Sequence, residues 1–242
     1  MSETLKDKKA IVTGGSKGIG LAIARALLAE GANVVICSRG AKQLEQALES
    51  LSIVPGGGQV AGQVADVSDS AAVAALFEFA VQKLGGLDIL INNAGFGTFR
   101  PAADLTVEEW DRLLGTNLSG AFYCTREALS RFRQRHGGFI INISSLAGKN
   151  PFSGGAAYNA SKFGLNGFSE AVMLDHRHDN VRVSYVMPGS VDTAFSGADS
   201  KQRSDWKIAP EDIADIVLAI LHMPPRTLIS RVEVRPSRPK KN

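Results

Sequence analysis

The sequence predicts an α/β protein built on a doubly wound parallel sheet of about seven strands, with helices on both faces. Short apolar runs alternate with helical patterns along the chain, as repeated βα units do. Most of these runs are continuously apolar and rich in Val and Ile, which is typical of parallel strands that are covered on both sides. The chain has 242 residues, 44% of them hydrophobic, and no composition break, so residues 1–242 are assigned to a single domain.

Seven apolar runs are predicted to be strands. They lie at 10–13, 33–37, 59–64, 87–92, 139–143, 181–187 and 228–234. The last run contains Ser230, Arg231 and Glu233, and this polar content suits a strand at the edge of the sheet.

Helical patterns fill the intervals between these strands. They cover 18–29, 41–50, 69–84, 107–135, 156–176 and 210–221. Thr106 and Glu109 have the spacing of a capping box before the longest pattern. Gly31, Gly85 and Gly86 follow helical patterns and indicate where those helices end.

A glycine-rich turn, TGGSKGIG, joins the first predicted strand to the first helix. Gly14, Gly18 and Gly20 allow a tight turn and a close approach of a ligand to the backbone. At the carboxyl end of a parallel strand, the N–H groups of a helix N-terminus can hold a pyrophosphate. The turn therefore predicts a dinucleotide site, with the spacing G-x-x-x-G-x-G.

The end of the second predicted strand favours NADP(H) as the cofactor. An NAD site commonly has an acidic residue here, which binds the ribose 2′-hydroxyl. In this chain Ser38 takes that place, Arg39 follows it, and Lys17 lies within the glycine turn. Serine and arginine can bind a 2′-phosphate, whereas a carboxylate would repel it.

Tyr158 and Lys162 are four residues apart and share one face of a predicted helix. A free tyrosine has a pKa near ~10, which is high for proton transfer at neutral pH. A nearby ammonium favours the phenolate, so we expect Lys162 to lower the pKa of Tyr158. The pair could then act as a general acid on a carbonyl oxygen, although an isolated pair with this spacing is better explained as a surface tyrosine beside a solvated lysine.

These motifs together make the sequence similar to the short-chain dehydrogenase/reductase family over nearly the whole chain. The family has a Rossmann-type fold, a T-G-x-x-x-G-x-G turn, an N-N-A-G segment, an asparagine, a serine upstream of Y-x3-K, and a P-G turn. The matching residues are Thr13, Gly14, Gly18 and Gly20, then Asn92 to Gly95, Asn117, Ser145, Tyr158 and Lys162, and finally Pro188, Gly189 and Thr193.

The resemblance implies a catalytic role for four residues. Tyr158 donates or accepts the proton, and Ser145 orients the substrate oxygen and stabilises developing charge. Lys162 holds the nicotinamide ribose, and Asn117 supports a water through which the proton site is refilled. Ser144 is the competing serine, and we expect its hydroxyl to bond to the backbone.

The resemblance also implies which residues contact the cofactor. Asp66 and Val67 correspond to the pair beside the adenine. Asn93 and Gly95 correspond to residues beside the adenosine ribose, and Thr193 to one beside the nicotinamide amide. The full predicted set is Gly14, Ser16, Lys17, Gly18, Ile19, Gly20, Ser38, Arg39, Asp66, Val67, Asn93, Ala94, Gly95, Tyr158, Lys162, Pro188, Gly189, Val191 and Thr193.

The predicted function is reduction of a carbonyl, or oxidation of a secondary alcohol, by NADP(H)-dependent hydride transfer with Tyr158 as general acid or base. One alternative is a 3-oxoacyl-[acyl-carrier-protein] reductase of fatty-acid synthesis. The stretch at 190–208 is short, and there is no Gly-Gly near the chain end. In these two respects the chain resembles the broad 3-hydroxy-acid or carbonyl reductases of the family more than it resembles that enzyme. A second alternative is a non-catalytic nucleotide-sensing protein on the same fold.

Aromatic residues in loops after strand ends bear on the substrate. They are Phe96, Phe99, Phe152, Phe195 and Trp206. Such loops bind ligands in this architecture, but their aromatic residues can equally be satellite core. If several line the cleft, the small-molecule substrate is partly apolar.

Charge and composition argue against several other classes of protein. A net charge of +3 without a basic stripe gives no sign of a nucleic-acid partner. The absence of a signal-peptide pattern and of a long apolar run predicts a cytoplasmic protein without membrane contact. The segment 236–242 is basic and is expected to be a flexible tail.

Cysteine and histidine positions predict no metal site. Cys37 and Cys124 lack metal or redox spacing and are expected to be small buried hydrophobes. His176 and His178 are two residues apart, so they do not face each other on a helix.

A homodimer or homotetramer is expected from the resemblance. In the family, the helices that correspond to 107–135 and 156–176 form a four-helix interface, and symmetric dimers are the commonest assembly. Here these patterns carry apolar residues that include Leu113, Phe122 and Leu165.

Overall fold

A computed structural model describes residues 4–193 and 204–239. It contains one sheet with the strand order β3-β2-β1-β4-β5-β6-β7, and every neighbouring pair is parallel. The strands are β1 Lys9–Thr13, β2 Asn33–Ser38, β3 Val60–Val64, β4 Ile89–Asn92, β5 Gly138–Ile143, β6 Val181–Pro188 and β7 Arg231–Val234. The order reverses between β1 and β4, and the carboxyl ends of these two strands therefore border the crevice where this architecture binds ligands. The predicted fold class is confirmed.

Seven α-helices cover the two faces of this sheet in the described ranges. They are α1 Gly18–Ala29, α2 Ala41–Ser52, α3 Ser70–Leu84, α4 Val107–Leu114, α5 Gly120–Gln134, α6 Ala156–His176 and α7 Pro210–Leu221. Successive strand residues point to opposite faces, so Val12 packs with α1, α2 and α7 while Ile11 packs with α3 and α5. Because both faces are covered, the central strands β1, β4 and β5 are buried at nearly every position rather than at alternate ones.

The predicted helix at 107–135 is not continuous. The capping box of Thr106 and Glu109 starts α4 as expected, but Gly115–Ser119 form a π-helical turn before α5 begins. At Gly120 a Cβ atom would lie 2.8 Å from the side chain of Val67, so glycine allows the start of α5 to pack closely against the segment after β3. The wide turn buries Asn117 to 1% exposure, and such turns often lie at functional sites.

The edge position of β7 is confirmed, since it pairs only with β6 and its residues are exposed or half-exposed. No described helix is both long enough and apolar enough to cross a membrane. The assignment of residues 1–242 to a single domain stays a prediction, and residues 240–242 of the predicted tail lie outside the described ranges.

Candidate active site

A cleft of about 1390 Å³ runs along the carboxyl ends of the strands, from the glycine turn to Tyr158. Nearly all of the predicted cofactor and catalytic residues line it. Gly20 and Asn117 are the exceptions, because both lie directly behind residues that do line it. The sequence pattern therefore brings its candidate residues to one continuous surface.

The glycine turn has the shape of a phosphate cradle. Gly14 and Gly18 have φ values of +63° and +54°, a region that residues with side chains rarely adopt. At Gly20 a Cβ atom would lie 2.4 Å from the side-chain nitrogen of Asn93, so this glycine allows close packing behind the turn. Lys17 precedes α1 in an extended conformation, and no side chain caps the first N–H groups of that helix. These residues fit the diphosphate of a dinucleotide.

Asn93 holds the glycine turn in place. Its side-chain nitrogen donates to the carbonyl oxygens of Thr13 at 2.9 Å and Gly14 at 3.1 Å. The Thr13 hydroxyl in turn accepts from the backbone N–H groups of Asn93 and Ala94, both at 3.0 Å. Asn93 lines the cleft as predicted, but its amide group serves the shape of the turn, a role that the sequence did not reveal.

Arg39 and Ser38 lie at the end of β2, where the sequence places the adenosine ribose. The Arg39 guanidinium is 3.9 Å from the Asp66 carboxylate, and its side chain is 58% exposed. Such an exposed, long ion pair is weak, so the guanidinium can turn toward an added phosphate at small cost. Burial alone would raise the pKa of Asp66, but hydrogen bonds from Ser68 and the charge of Arg39 together lower it below its ordinary value.

Tyr158 is 8% exposed and hydrogen-bonds with the Ser145 hydroxyl. Burial raises the pKa of Tyr158, and the bond to Ser145 opposes that rise only in part. The expected lowered pKa of Tyr158 is wrong for this geometry, because burial outweighs the lowering influence of Ser145. The phenol is thereby kept protonated, as a general acid must be. The Lys162 ammonium would still attract a phenolate once one forms.

Lys162 is buried, and its Nζ donates to the Ile143 carbonyl oxygen at 2.9 Å. Its ammonium lies 5.9 Å from the centre of the Tyr158 ring. Burial lowers the pKa of Lys162 to about 8. The strand-end carbonyl thus fixes the ammonium beside the tyrosine.

Lys162 also gives the fold a specific pH dependence. An unfolded chain keeps the proton to pH ~10.4, whereas the folded chain releases it near pH 8, so the unfolded state binds more protons between these values. Lys162 therefore makes a contribution to the unfolding free energy that rises with pH in this window, and Lys162→Met lacks that contribution. We expect the variant's stability relative to wild type to fall by up to about 1 kcal/mol per pH unit from pH 8 to 10. Urea unfolding of both proteins at four pH values measures this, and a pH-independent difference contradicts the buried ammonium.

Ser144 is the serine that does not face Tyr158. Its hydroxyl donates to the side-chain oxygen of Asn166 at 2.5 Å. The backbone N–H of Ser144, rather than its hydroxyl, donates to the carbonyl oxygen of Val186. The expectation of a backbone partner for the hydroxyl is wrong. Asn166 is on α6, so Ser144 links β5 to the catalytic helix.

Asn117 acts on the site through its side chain in a way that the resemblance did not indicate. Its amide nitrogen donates to the Phe96 carbonyl at 2.9 Å and to the Ser161 hydroxyl at 3.2 Å, and its oxygen accepts from the Phe96 N–H at 3.0 Å. The Ser161 hydroxyl donates to the Tyr158 carbonyl at 2.8 Å. Asn117 therefore ties the π-helical turn to the catalytic helix, and its predicted support of a water stays a prediction.

Sequence reasoning missed Ser161 as a positioning residue. The signal was present, because residues three apart share a helix face and Ser161 follows Tyr158 at that spacing. Its complete burial shows that the hydroxyl belongs to the site's framework.

Aromatic residues occupy the far part of the cleft. Phe96, Phe99, Phe152 and Trp206 line it, which fits the ligand-binding interpretation of these loops. Phe195 lies outside the described residues. The guanidinium of Arg112 stacks over the Phe96 ring at 4.9 Å.

Both cysteines are 1% exposed, so the prediction of small buried hydrophobes is confirmed. Burial raises the pKa of Cys37 to about 11 and raises that of Cys124 as well, which makes both thiols inert at neutral pH. The His176 ring hydrogen-bonds Asp179 at 2.8 Å. Residues 4–193 and 204–239 contain no cluster of three or more side chains suited to holding a metal ion.

The chain belongs to the short chain dehydrogenase family, whose model matches residues 8–204. A sepiapterin reductase of Chlorobaculum tepidum is 35% identical over 234 residues, which cover 94% of this chain and 95% of that protein. A metagenomic short-chain oxidoreductase solved with NADP is 37% identical, with a TM-score of 0.85 over 98% of this chain and 100% of that one. A point variant of the actinorhodin polyketide ketoreductase solved with NADPH is 30% identical, with a TM-score of 0.86 over 98% of each chain.

Proposed function

We propose that the chain is an NADP(H)-dependent oxidoreductase that reduces a ketone to a secondary alcohol, or carries out the reverse reaction. The observation that supports this best is the cluster of Ser145, Tyr158 and Lys162, which faces the same cleft as the glycine turn. The solved relatives in complex with NADP and NADPH support the choice of cofactor.

The residues of the cluster divide the proton chemistry among them. NADPH, when bound, supplies the hydride that forms the new C–H bond at the carbonyl carbon and is left as NADP⁺. Tyr158 gives its phenolic proton to the carbonyl oxygen and regains a proton from solvent. Ser145 holds that oxygen by a hydrogen bond, and the ammonium of Lys162 stabilises the transient phenolate. One ketone, one NADPH and one proton thus yield one alcohol and one NADP⁺.

Carrier-linked 3-oxoacyl chains remain the second candidate substrate, favoured by the likeness to a polyketide ketoreductase. Assays with free ketones, free 3-oxo esters and a carrier-linked 3-oxoacyl chain, each with NADPH and NADH, separate the candidates. Faster turnover of free ketones with NADPH supports the proposal. Preference for the carrier-linked chain supports the second candidate instead, and NADPH binding without turnover of any compound favours a nucleotide sensor.

We also propose that the chain forms a homodimer or homotetramer through the outer faces of α5 and α6. Phe122 and Phe163 are each 45% exposed on these helices, an unusual exposure for large apolar side chains. Leu113 and Leu165, which the sequence offered for this surface, are instead buried at 2% exposure or less and belong to the core.

Light scattering tests the assembly. At micromolar concentration the wild type should show at least twice the mass of the 25.7 kDa chain. Phe122→Arg should shift the mass toward that of one chain, because a charge in an apolar interface is costly to desolvate. A wild-type mass of one chain contradicts this proposal.

A further inference from the structure

We infer that the substrate of the proposed reductase is a neutral ketone with an aromatic group beside its carbonyl, bound against the rings of Phe99 and Phe152. This inference rests on the proposed function and adds the class of substrate. It draws on the aromatic residues at the far part of the cleft and on the contacts that hold their loops.

Phe99 and Phe152 form an aromatic pair next to the catalytic tyrosine. The centre of the Phe99 ring lies 5.7 Å from that of Phe152 and 5.5 Å from that of Tyr158, with the latter pair nearly perpendicular at 77°. Each phenylalanine is 46% exposed, whereas Tyr158 is 8% exposed. A ketone hydrogen-bonded to the tyrosine therefore has apolar ring surface beside its substituents. Aromatic rings favour tilted and edge-to-face partners, so a substrate ring can join this pair.

The two loops that carry the pair are tied to each other. Arg100, next to Phe99, forms a β-bridge with Gly155, whose N–H donates to the Phe152 carbonyl at 3.2 Å. The Arg100 side chain pairs with Glu109 on α4 at 3.0 Å. The rings are thus held near their binding positions before a substrate arrives, which lowers the cost of ordering them.

The surface beside the tyrosine favours an uncharged substituent, because Phe99 and Phe152 present apolar rings there. A charged group buried against these rings would lose hydration without gaining a partner, whereas a neutral group would not incur that cost. Phe96 is less suited to a substrate ring than the other two, because Arg112 already stacks on it.

Three methyl ketones separate the effect of an aromatic ring from that of substituent size. They are acetophenone, cyclohexyl methyl ketone and 2-butanone. We expect the wild type to reduce acetophenone with a kcat/KM at least roughly tenfold above that for 2-butanone, with the cyclohexyl compound between them. Phe99→Ala and Phe152→Ala should each lower kcat/KM for acetophenone by about tenfold and that for 2-butanone by less than about threefold. Phe99→Leu should keep part of the preference.

Ile53→Ala is the control, because Ile53 is a large apolar side chain that is 79% exposed just after α2 and lies away from the cleft. It should change neither ketone's kcat/KM. The inference is overturned if the wild type shows no preference for acetophenone. It is also overturned if Phe99→Ala and Phe152→Ala lower kcat/KM for the two ketones by the same factor.

Binding measurements keep this test apart from the proposed function. Calorimetric titration of acetophenone and 2-butanone into the wild type saturated with NADP⁺ reports ketone binding without turnover. Tighter binding of acetophenone that is lost in Phe99→Ala supports the aromatic site even if no ketone is reduced, in which case only the proposed function fails. Equal binding of the two ketones overturns the inference.

Discussion

Replacing Tyr158 by phenylalanine should lower kcat for ketone reduction by about 10²–10⁴-fold, the usual contribution of a positioned general acid. The ring stays in place, because phenylalanine preserves the edge-to-face contact with Phe99 and the apolar surroundings. Only the hydroxyl that bonds to Ser145 is lost. The Kd for NADPH, measured by fluorescence titration, should therefore change little while kcat falls.

Tyr185→Phe is the matched control for this experiment. In the wild type the Tyr185 hydroxyl donates to Glu170 at 2.6 Å, and Tyr185 does not line the cleft. This variant should retain wild-type kcat. Unchanged turnover in Tyr158→Phe with any accepted ketone would show that the proton comes from another group.

The double substitution Ser38→Asp with Arg39→Ala should reverse the cofactor preference from NADPH to NADH. A charge-assisted hydrogen bond contributes roughly 1.5–3 kcal/mol, which corresponds to about ten- to a hundredfold in favour of NADPH in the wild type. The new carboxylate adds repulsion of the 2′-phosphate to the loss of the guanidinium, so the effect should exceed that of Arg39→Ala alone. The measurement is kcat/KM for both cofactors at one ionic strength.

Lys17→Ala is the comparison for this change. The ammonium of Lys17 is flexible and strongly hydrated. Its removal should therefore reduce the preference for NADPH by less than the loss of Arg39 does. A wild type that already prefers NADH, or a double variant that keeps its preference for NADPH, contradicts the assignment of Ser38 and Arg39 to the 2′-phosphate.

The sequence predicted the sheet and the surface of the cleft well, because both depend on local patterns. Continuous apolar runs indicate strands covered on both faces, and the glycine turn follows the first of them. The family spacing then placed Ser145, Tyr158 and Lys162 on the same cleft, where the structure also has them.

Features that depend on tertiary packing were not predictable in the same way. An apolar period of 3.6 residues does not reveal one extra residue in a turn, so the sequence predicts a continuous helix where the structure has a π-helical segment at Asn117. The pKa of Tyr158 depends on how much water the folded chain excludes from it, and burial reversed the expected direction. The Ser144 hydroxyl donates to the Asn166 side chain rather than to the backbone, because α6 passes close to the end of β5.

Transfer of deuterium from labelled NADPH tests the central claim most directly. The wild type is incubated with acetophenone and NADPH that carries deuterium at the transferring position of the nicotinamide, and the product is analysed by mass spectrometry. The proposed function predicts 1-phenylethanol with one deuterium on the carbinol carbon, formed in equal amount to the NADP⁺ produced. Alcohol without the label, or no alcohol from any ketone in the presence of NADPH, would contradict hydride transfer as the activity of this chain.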